Sequence, residues 1–267
     1  MRLVWGFWGA YTFLQSGADR SSGGSLNGGA LMSARIRGAI EMAPAPPPDG
    51  RALDISAGDG ASTRALRARG WRVVATERRA TARGWVSADL HDALPFRDAS
   101  FDLVMMLEVI EHVSDIPRVF SEIARVLKPG AIAILSTPNR LNVTSRIHYL
   151  LSGFYKGRRA PLPYRYTIDD GRNWHVMGLN DLHWIAHGAG LRLEALGRSR
   201  RKLRAWIYAP LFYLPIKGFS WYLYVRGIED PEQRRINRDL YRLMTSAPLL
   251  MDENLVMLFR KLPKIQS

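Results

Sequence analysis

The sequence predicts an α/β domain, a doubly wound, mostly parallel sheet of seven strands with helices on both faces. Three observations predict it. Short apolar runs alternate with helical periodicity from residue 51 onward, which is the pattern of βαβ units. Two of the runs, 101–107 (FDLVMML) and 131–136 (AIAILS), are almost unbroken, as strands covered on both faces must be. Finally, 47% of the 267 residues are hydrophobic, enough to fill one sizeable core.

The elements follow in order. Residues 19–29 (DRSSGGSLNGG) read as a flexible loop. Residues 30–43 have helical periodicity, with Leu31, Ile36 and Ile40 on the apolar face. The run Pro44-Ala45-Pro46-Pro47-Pro48-Asp49-Gly50 is a stiff boundary. Residues 1–50 therefore read as a helical extension with linker, and 51–267 as the main domain. Within it, 51–56 is a strand and 62–69 a helix stopped by Gly70. Residues 71–76 and 85–88 are further strands, and 101–107 is the fourth. Residues 116–127 form an amphipathic helix ending at Lys128-Pro129-Gly130, before the strand 131–136. Beyond Pro138 the pattern loosens. Residues 141–178 are aromatic and basic, and are expected to cover the site. A helix at 179–189 and a strand at 191–196 follow. An aromatic and basic insertion, 198–250, precedes the last strand at 254–260.

The charge is one-sided: 38 Lys and Arg against 24 Asp and Glu give +14. Such a surface attracts polyanions, whether nucleic acid, anionic lipid or phosphorylated substrates. With no cysteine, disulfides, thiolate metal sites and cysteine nucleophiles are excluded. The apolar stretch 3–14 (LVWGFWGAYTFL) has signal-peptide length, but its Trp, Tyr and Gly content favours a buried or interfacial segment. A reducing, cytoplasmic setting is expected.

The first strand runs into Asp54-Ile55-Ser56-Ala57-Gly58-Asp59-Gly60 and then a helix. Glycines there let a ligand approach the backbone, and donors at the helix N-terminus point into the same space. Glu77 closes the second strand, where an acid can bind both hydroxyls of a ribose. A dinucleotide site wants Gly or Ala where Thr63 stands, and a phosphate loop wants Gly-Lys-Ser/Thr, which is absent. An ordinary strand-to-helix turn stays open on these residues alone.

The wider context decides the reading. Residues 53–60 resemble the first motif of the class I S-adenosylmethionine-dependent methyltransferases, which usually has glycine at the position of Ser56. Glu77 stands where the family's ribose-binding acid stands, and Asp89-Leu90 where its adenine-bordering pair does. Residues 94–102 (LPFRDASFD) and Arg125-Val126-Leu127-Lys128-Pro129-Gly130 match two further stretches, in family order. The resemblance implies a Rossmann-like fold with an antiparallel last strand and an S-adenosylmethionine site. Asp54, Ser56, Gly58, Gly60, Glu77, Asp89, Leu90 and Leu107 are the candidate cofactor residues.

Glu108-Val109-Ile110-Glu111-His112 follows the fourth strand. Two carboxylates and an imidazole this close are candidate ligands of a divalent metal. The pattern resembles that of ubiquinone-biosynthesis O-methyltransferases and small-RNA 2′-O-methyltransferases, where the metal positions a hydroxyl. Without metal, Glu111 and His112 are the candidate acid–base residues, and His175 is the third catalytic candidate, as a further ligand or substrate contact.

The last motif is the basic run Arg198, Arg200, Arg201, Lys202 and Arg204, which leads into the apolar stretches 205–216 and 219–225. The first is short, holds two prolines and cannot span a bilayer. Aromatic residues beside an arginine cluster suit an anionic membrane surface, so 198–225 is the expected contact, at the inner membrane face. Nucleic acid is the less favoured partner, since no RNA-binding module is visible. The expected activity is methyl transfer, O-directed, to an amphiphilic or lipid-linked small molecule. Two alternatives stay open: an RNA or soluble small-molecule methyltransferase, and a non-catalytic cofactor-binding partner subunit.

Overall fold

The computed structural model describes residues 32–79, 82–153, 155 and 177–263. The stretch 3–14 and His175 lie outside them. Helix α1 (Ala34–Met42) is capped by Ser33, whose hydroxyl accepts from the Ile36 amide at 3.4 Å. Strand β1 (Arg51–Ile55), helix α2 (Ala61–Ala68), β2 (Arg72–Glu77) and the short β3 (Val86–Ser87) form the first half. Strand β4 (Phe101–Leu107), a 3₁₀ turn (Ile110–His112), helix α3 (Ile116–Val126) and β5 (Leu127–Pro138) follow. Helices α4 (Val143–Ser152) and α5 (Leu179–Gly188) lead to β6 (Leu191–Gly197). Then come α6 (Leu203–Trp221), a π-helical turn (Tyr222–Arg226), α7 (Pro231–Met244), α8 (Ala247–Met251) and β7 (Asn254–Lys261).

The seven strands make one sheet in the order β3-β2-β1-β4-β5-β7-β6. All pairs are parallel except those of β7, which runs antiparallel between β5 and β6. The order reverses between β1 and β4, so a crevice opens beyond their carboxyl ends. The expected strand at 131–136 is longer, because Leu127 already pairs with Phe101. That pairing also ends α3 one residue early.

The core lies against β4 and β5, where Leu103, Val104, Met105, Met106, Ala133, Ile134 and Leu135 are fully buried. Helix α3 turns Ile116, Val119, Phe120 and Ile123 onto this sheet, a stripe at helical spacing. Phe120 meets Phe259 of β7 edge to face, with centroids 5.6 Å apart. Arg125 of α3 binds Glu122, Asp98 and the carbonyls of Leu94 and Phe96, so it fixes the segment that leads into β4. Helix α1 buries Gly38, Ala39 and Ile40 and packs beside β5, β6 and β7. It lies so close that a Cβ on Gly38 would stand 1.8 Å from the Arg198 carbonyl oxygen.

The insertion departs from the sequence reading. One helix of 19 residues runs through Pro210 and Pro215 and on across Lys217-Gly218, joining the first apolar stretch to the start of the second. A proline inside a helix removes one backbone bond and bends the axis. Packing offsets that cost here. Ala205, Ala209, Phe212 and Ile216, spaced four, three and four apart, lie on Val143 and Ile147 of α4 and Leu250 and Met251 of α8. Among the described residues, no helix is long and apolar enough to cross a membrane.

Candidate functional site

The loop after β1 is pinned to the end of β2. Ser56 donates its amide to the Thr76 hydroxyl at 3.3 Å, and Ala57 donates to the Thr76 carbonyl at 3.0 Å. Gly58 donates to Glu77 Oε1 at 2.7 Å, while Arg78 holds Oε2 at 3.3 Å through its own amide. The Glu77 carboxylate thus enters the crevice in a fixed orientation. Thr76 escaped the sequence reading, although its place just before the ribose-type acid was a signal.

Gly58 has φ +59, and a Cβ built on it would find no protein atom within 4 Å. Glycine there answers the left-handed backbone rather than a clash within the described residues, and the space above it is open. A Cβ on Gly60 would come within 3.2 Å of Trp85 and 3.3 Å of Arg64, so these two side chains wall the far side of the loop.

Asp54 sits beneath the loop, 1% exposed. Its Oδ2 accepts from Ser62 at 2.7 Å and Thr63 at 2.5 Å, which ties β1 to the first turn of α2. Burial pushes its pKa up to about 6, against these two bonds. Thr63, which spoke against a dinucleotide, is therefore a structural partner of Asp54. Asp54 faces its own helix, and the structure gives it the task of holding the loop.

Asp89 lies beyond β3. His91 binds its Oδ1 through both amide (3.0 Å) and ring (2.8 Å), and Arg78 stands 3.6 Å from Oδ2. The His91 amide first of all holds the Asp89 carboxyl below its ordinary range. Leu90 packs partly on the core, and Leu107 ends β4 half-buried at the same edge.

Glu108, directly after β4, has φ +58. Its amide donates to the Ser136 carbonyl at 3.0 Å, and its Oε1 accepts from the Ser136 hydroxyl at 3.1 Å. Glu111 is 1% exposed, and its Oε2 has no partner among the described residues. Burial, then the neighbouring Glu108 carboxylate, pushes Glu111 up to about 7. Burial raises Glu108 as well, and Arg35 of α1 opposes both shifts. His112 is exposed. The expected metal set of Glu108, Glu111 and His112 is thereby corrected. Glu111 turns into the core and His112 toward solvent, and no group of three such side chains among the described residues is placed to hold a metal. Nothing among the described residues supports a metal on this donor set.

The chain is similar to known proteins across this region. Residues 31–196 match the sequence model of a methyltransferase domain family. A Mycolicibacterium smegmatis protein named "Probable S-adenosylmethionine-dependent methyltransferase" is 42% identical over 105 residues, covering 37% of each chain. The match thus spans little more than a third of that relative's length. An uncharacterized methyltransferase of Mycobacterium sp. strain JLS is 30% identical over 179 residues, covering 61% of this chain and 71% of the relative. Among solved structures, a methyltransferase bound to a Haloferax volcanii methyltransferase activator superposes with TM-score 0.51 at 17% identity, covering 86% of this chain and 90% of that one. That likeness concerns the fold.

Proposed function

This chain belongs to the methyltransferase domain family, the class I S-adenosylmethionine-dependent methyltransferases, and from that premise we propose that it transfers a methyl group to an amphiphilic acceptor at a membrane surface. The observation that carries the cofactor half is the loop at Ser56–Gly60, tied to Glu77 at 2.7 Å beside the open cradle of Gly58. In this reading, Glu77 receives the ribose hydroxyls, Asp89 and Leu90 border the adenine, and Ser56, Gly58, Gly60 and Leu107 line the rest. S-adenosylmethionine supplies an electrophilic methyl on a sulfonium that is already a good leaving group. The protein's part is to align the acceptor and exclude water. For a hydroxyl acceptor, exposed His112 at the carboxyl edge is the proposed proton acceptor. Buried Glu111 is assigned to holding the 3₁₀ turn that carries it.

The acceptor half rests on the surface. The outward face of α6 exposes Trp206, Ile207, Leu211, Leu214 and Phe219, and α4 beside it exposes Tyr149, Leu150 and Leu151. Isolated apolar residues on a surface are ordinary, but a contiguous face of this size marks an interaction site. Basic residues flank it: Arg201 stacks over Trp206 at 5.8 Å, and Lys217 over Tyr213 at 5.5 Å. An apolar helix with cations at its margins fits an anionic lipid surface.

Two experiments test the reading. Glu77→Ala is expected to weaken S-adenosylmethionine binding about 30-fold by calorimetry, the scale of a lost charged hydrogen-bond partner. Unchanged affinity refutes the cofactor site. Wild-type protein is expected to sediment with phosphatidylglycerol vesicles, and to stay in solution when Arg198, Arg200, Arg201, Lys202 and Arg204 are all Gln. Equal sedimentation of both proteins refutes the electrostatic contact.

A further inference from the structure

The basic run that precedes α6 is laid in extended form along the chain between α8 and β7. Arg201 bridges Asp252 in antiparallel register. Glu253 donates its amide to the Arg200 carbonyl at 2.8 Å, and Lys202 donates to the Met251 carbonyl at 3.0 Å. The Ser199 hydroxyl donates to the Asn254 carbonyl and accepts from the Asn254 amide, both at 3.0 Å. Side chains of an extended segment alternate between its two faces, so this pairing sorts the cations. Arg200 falls opposite Glu253, and its Nε donates to Glu253 Oε2 at 2.7 Å. Arg201 falls on the other face, opposite Asp252. The Asp252 carboxylate is buried there and accepts from the Ser199 amide at 2.7 Å. Arg201 itself is exposed, and its guanidinium lies over the indole of Trp206, 5.8 Å from the ring centroid.

Trp206 stands at the start of the exposed apolar face that continues through Ile207, Leu211 and Leu214. An indole covers one flat side of a guanidinium and leaves the N–H groups at its rim free to meet an anion. A phosphate takes two of them in parallel, which an ammonium does not offer. We propose that Arg201, seated on Trp206, is the residue through which this surface recognises the phosphate of an anionic phospholipid. The indole then lies at headgroup depth, with Ile207, Leu211 and Leu214 against the hydrocarbon. This rests on the membrane reading above and narrows it from a diffuse basic run to one oriented arginine. The occupant is a lipid surface rather than a second copy of this chain, because a charge of +14 opposes self-association and complements anionic lipid.

The test measures partition of the full chain onto phosphatidylglycerol vesicles for single substitutions, with circular dichroism to confirm that each variant is folded. Arg198→Gln, Arg200→Gln and Arg201→Gln remove the same charge from the same run. Arg201→Gln is expected to weaken partition at least ~5-fold, the scale of one basic residue in contact with an anionic surface, and the other two at most ~2-fold. Arg201→Lys keeps the charge but loses the planar fork, and is expected to restore only part of the binding. Trp206→Leu keeps an apolar side chain but removes the seat, and in that background Arg201→Gln is expected to cost no more than Arg198→Gln does. Equal losses for the three Gln variants, or full binding by Arg201→Lys, overturn the proposal and leave the membrane reading in place. Wild-type protein that fails to bind the vesicles overturns the membrane reading and the proposal with it. A solution dimer that Trp206→Leu dissociates, without vesicle binding, gives the face to a second copy and also overturns the lipid assignment.

Discussion

Glu111→Gln should change how stability depends on pH. Glu111 is 1% exposed, has an unpartnered Oε2, and holds its proton up to about 7 against an ordinary 4.5. Between those values the folded protein keeps a proton that the unfolded chain has released. Folding therefore takes up a proton, and this group's contribution falls as pH rises from 4.5 to 7. Above 7 the carboxylate is ionised in both states and the whole penalty is present. Over a shift from 4.5 to about 7 the penalty totals about 3 kcal/mol, most of which develops between pH 5 and pH 8. Glutamine has nearly the same shape and no charge to desolvate. The stability of Glu111→Gln minus that of wild type, from urea unfolding at both pH values, should thus rise by about 2–3 kcal/mol at pH 8 relative to pH 5. Asp54, also raised, titrates identically in both proteins and drops out of the difference. A difference that stays constant with pH would refute the claim that burial outweighs the groups that favour the Glu111 carboxylate.

Two further outcomes follow from backbone geometry. Ser56 has φ +52, a conformation that costs a non-glycine residue about 1–2 kcal/mol. Ser56→Gly relieves that strain but adds freedom to the unfolded chain, so a net gain of about 0.5–1 kcal/mol is expected by thermal melting, and a loss would contradict the strain. Gly38→Leu must displace the Arg198 carbonyl, 1.8 Å from the new Cβ, and should cost at least about 2 kcal/mol in denaturant unfolding, with wild-type stability as the contrary result.

The sheet was legible because its signals are local. Phe101–Leu107 is apolar at nearly every position since it is covered on both faces, and its bounds in the structure match the sequence reading. The loop after β1 was legible in position but not in wiring. Thr63 read as an obstacle to a dinucleotide, while its bond to Asp54 joins residues that meet only once β1 and α2 are assembled. The Glu108, Glu111 and His112 spacing suggested a metal, but spacing does not specify which way a 3₁₀ turn points its carboxylates. The helix within the insertion was not legible because proline's local cost is visible in the sequence and its compensation is not. The residues that hold α6 across Pro210 and Pro215 include Leu250 and Met251, far along the chain.

Ser56 and Glu108 belong together in one argument. Both are non-glycine residues in the left-handed region, with φ +52 and +58. One follows β1 and the other follows β4, the adjacent parallel strands on either side of the reversal in strand order. Each chain segment there must turn sharply out of the sheet to open the crevice. Strain of this kind persists only where surrounding bonds over-determine it. Both positions meet that condition: Thr76 holds the Ser56 amide, while the Ser136 carbonyl and hydroxyl hold the Glu108 amide and carboxylate. Thr76 lies on β2 and Ser136 on β5, so the outer neighbours of the β1–β4 pair clamp the two strained turns. The crevice is thus kept open by the sheet itself, through bonds that lie wholly outside the insertion.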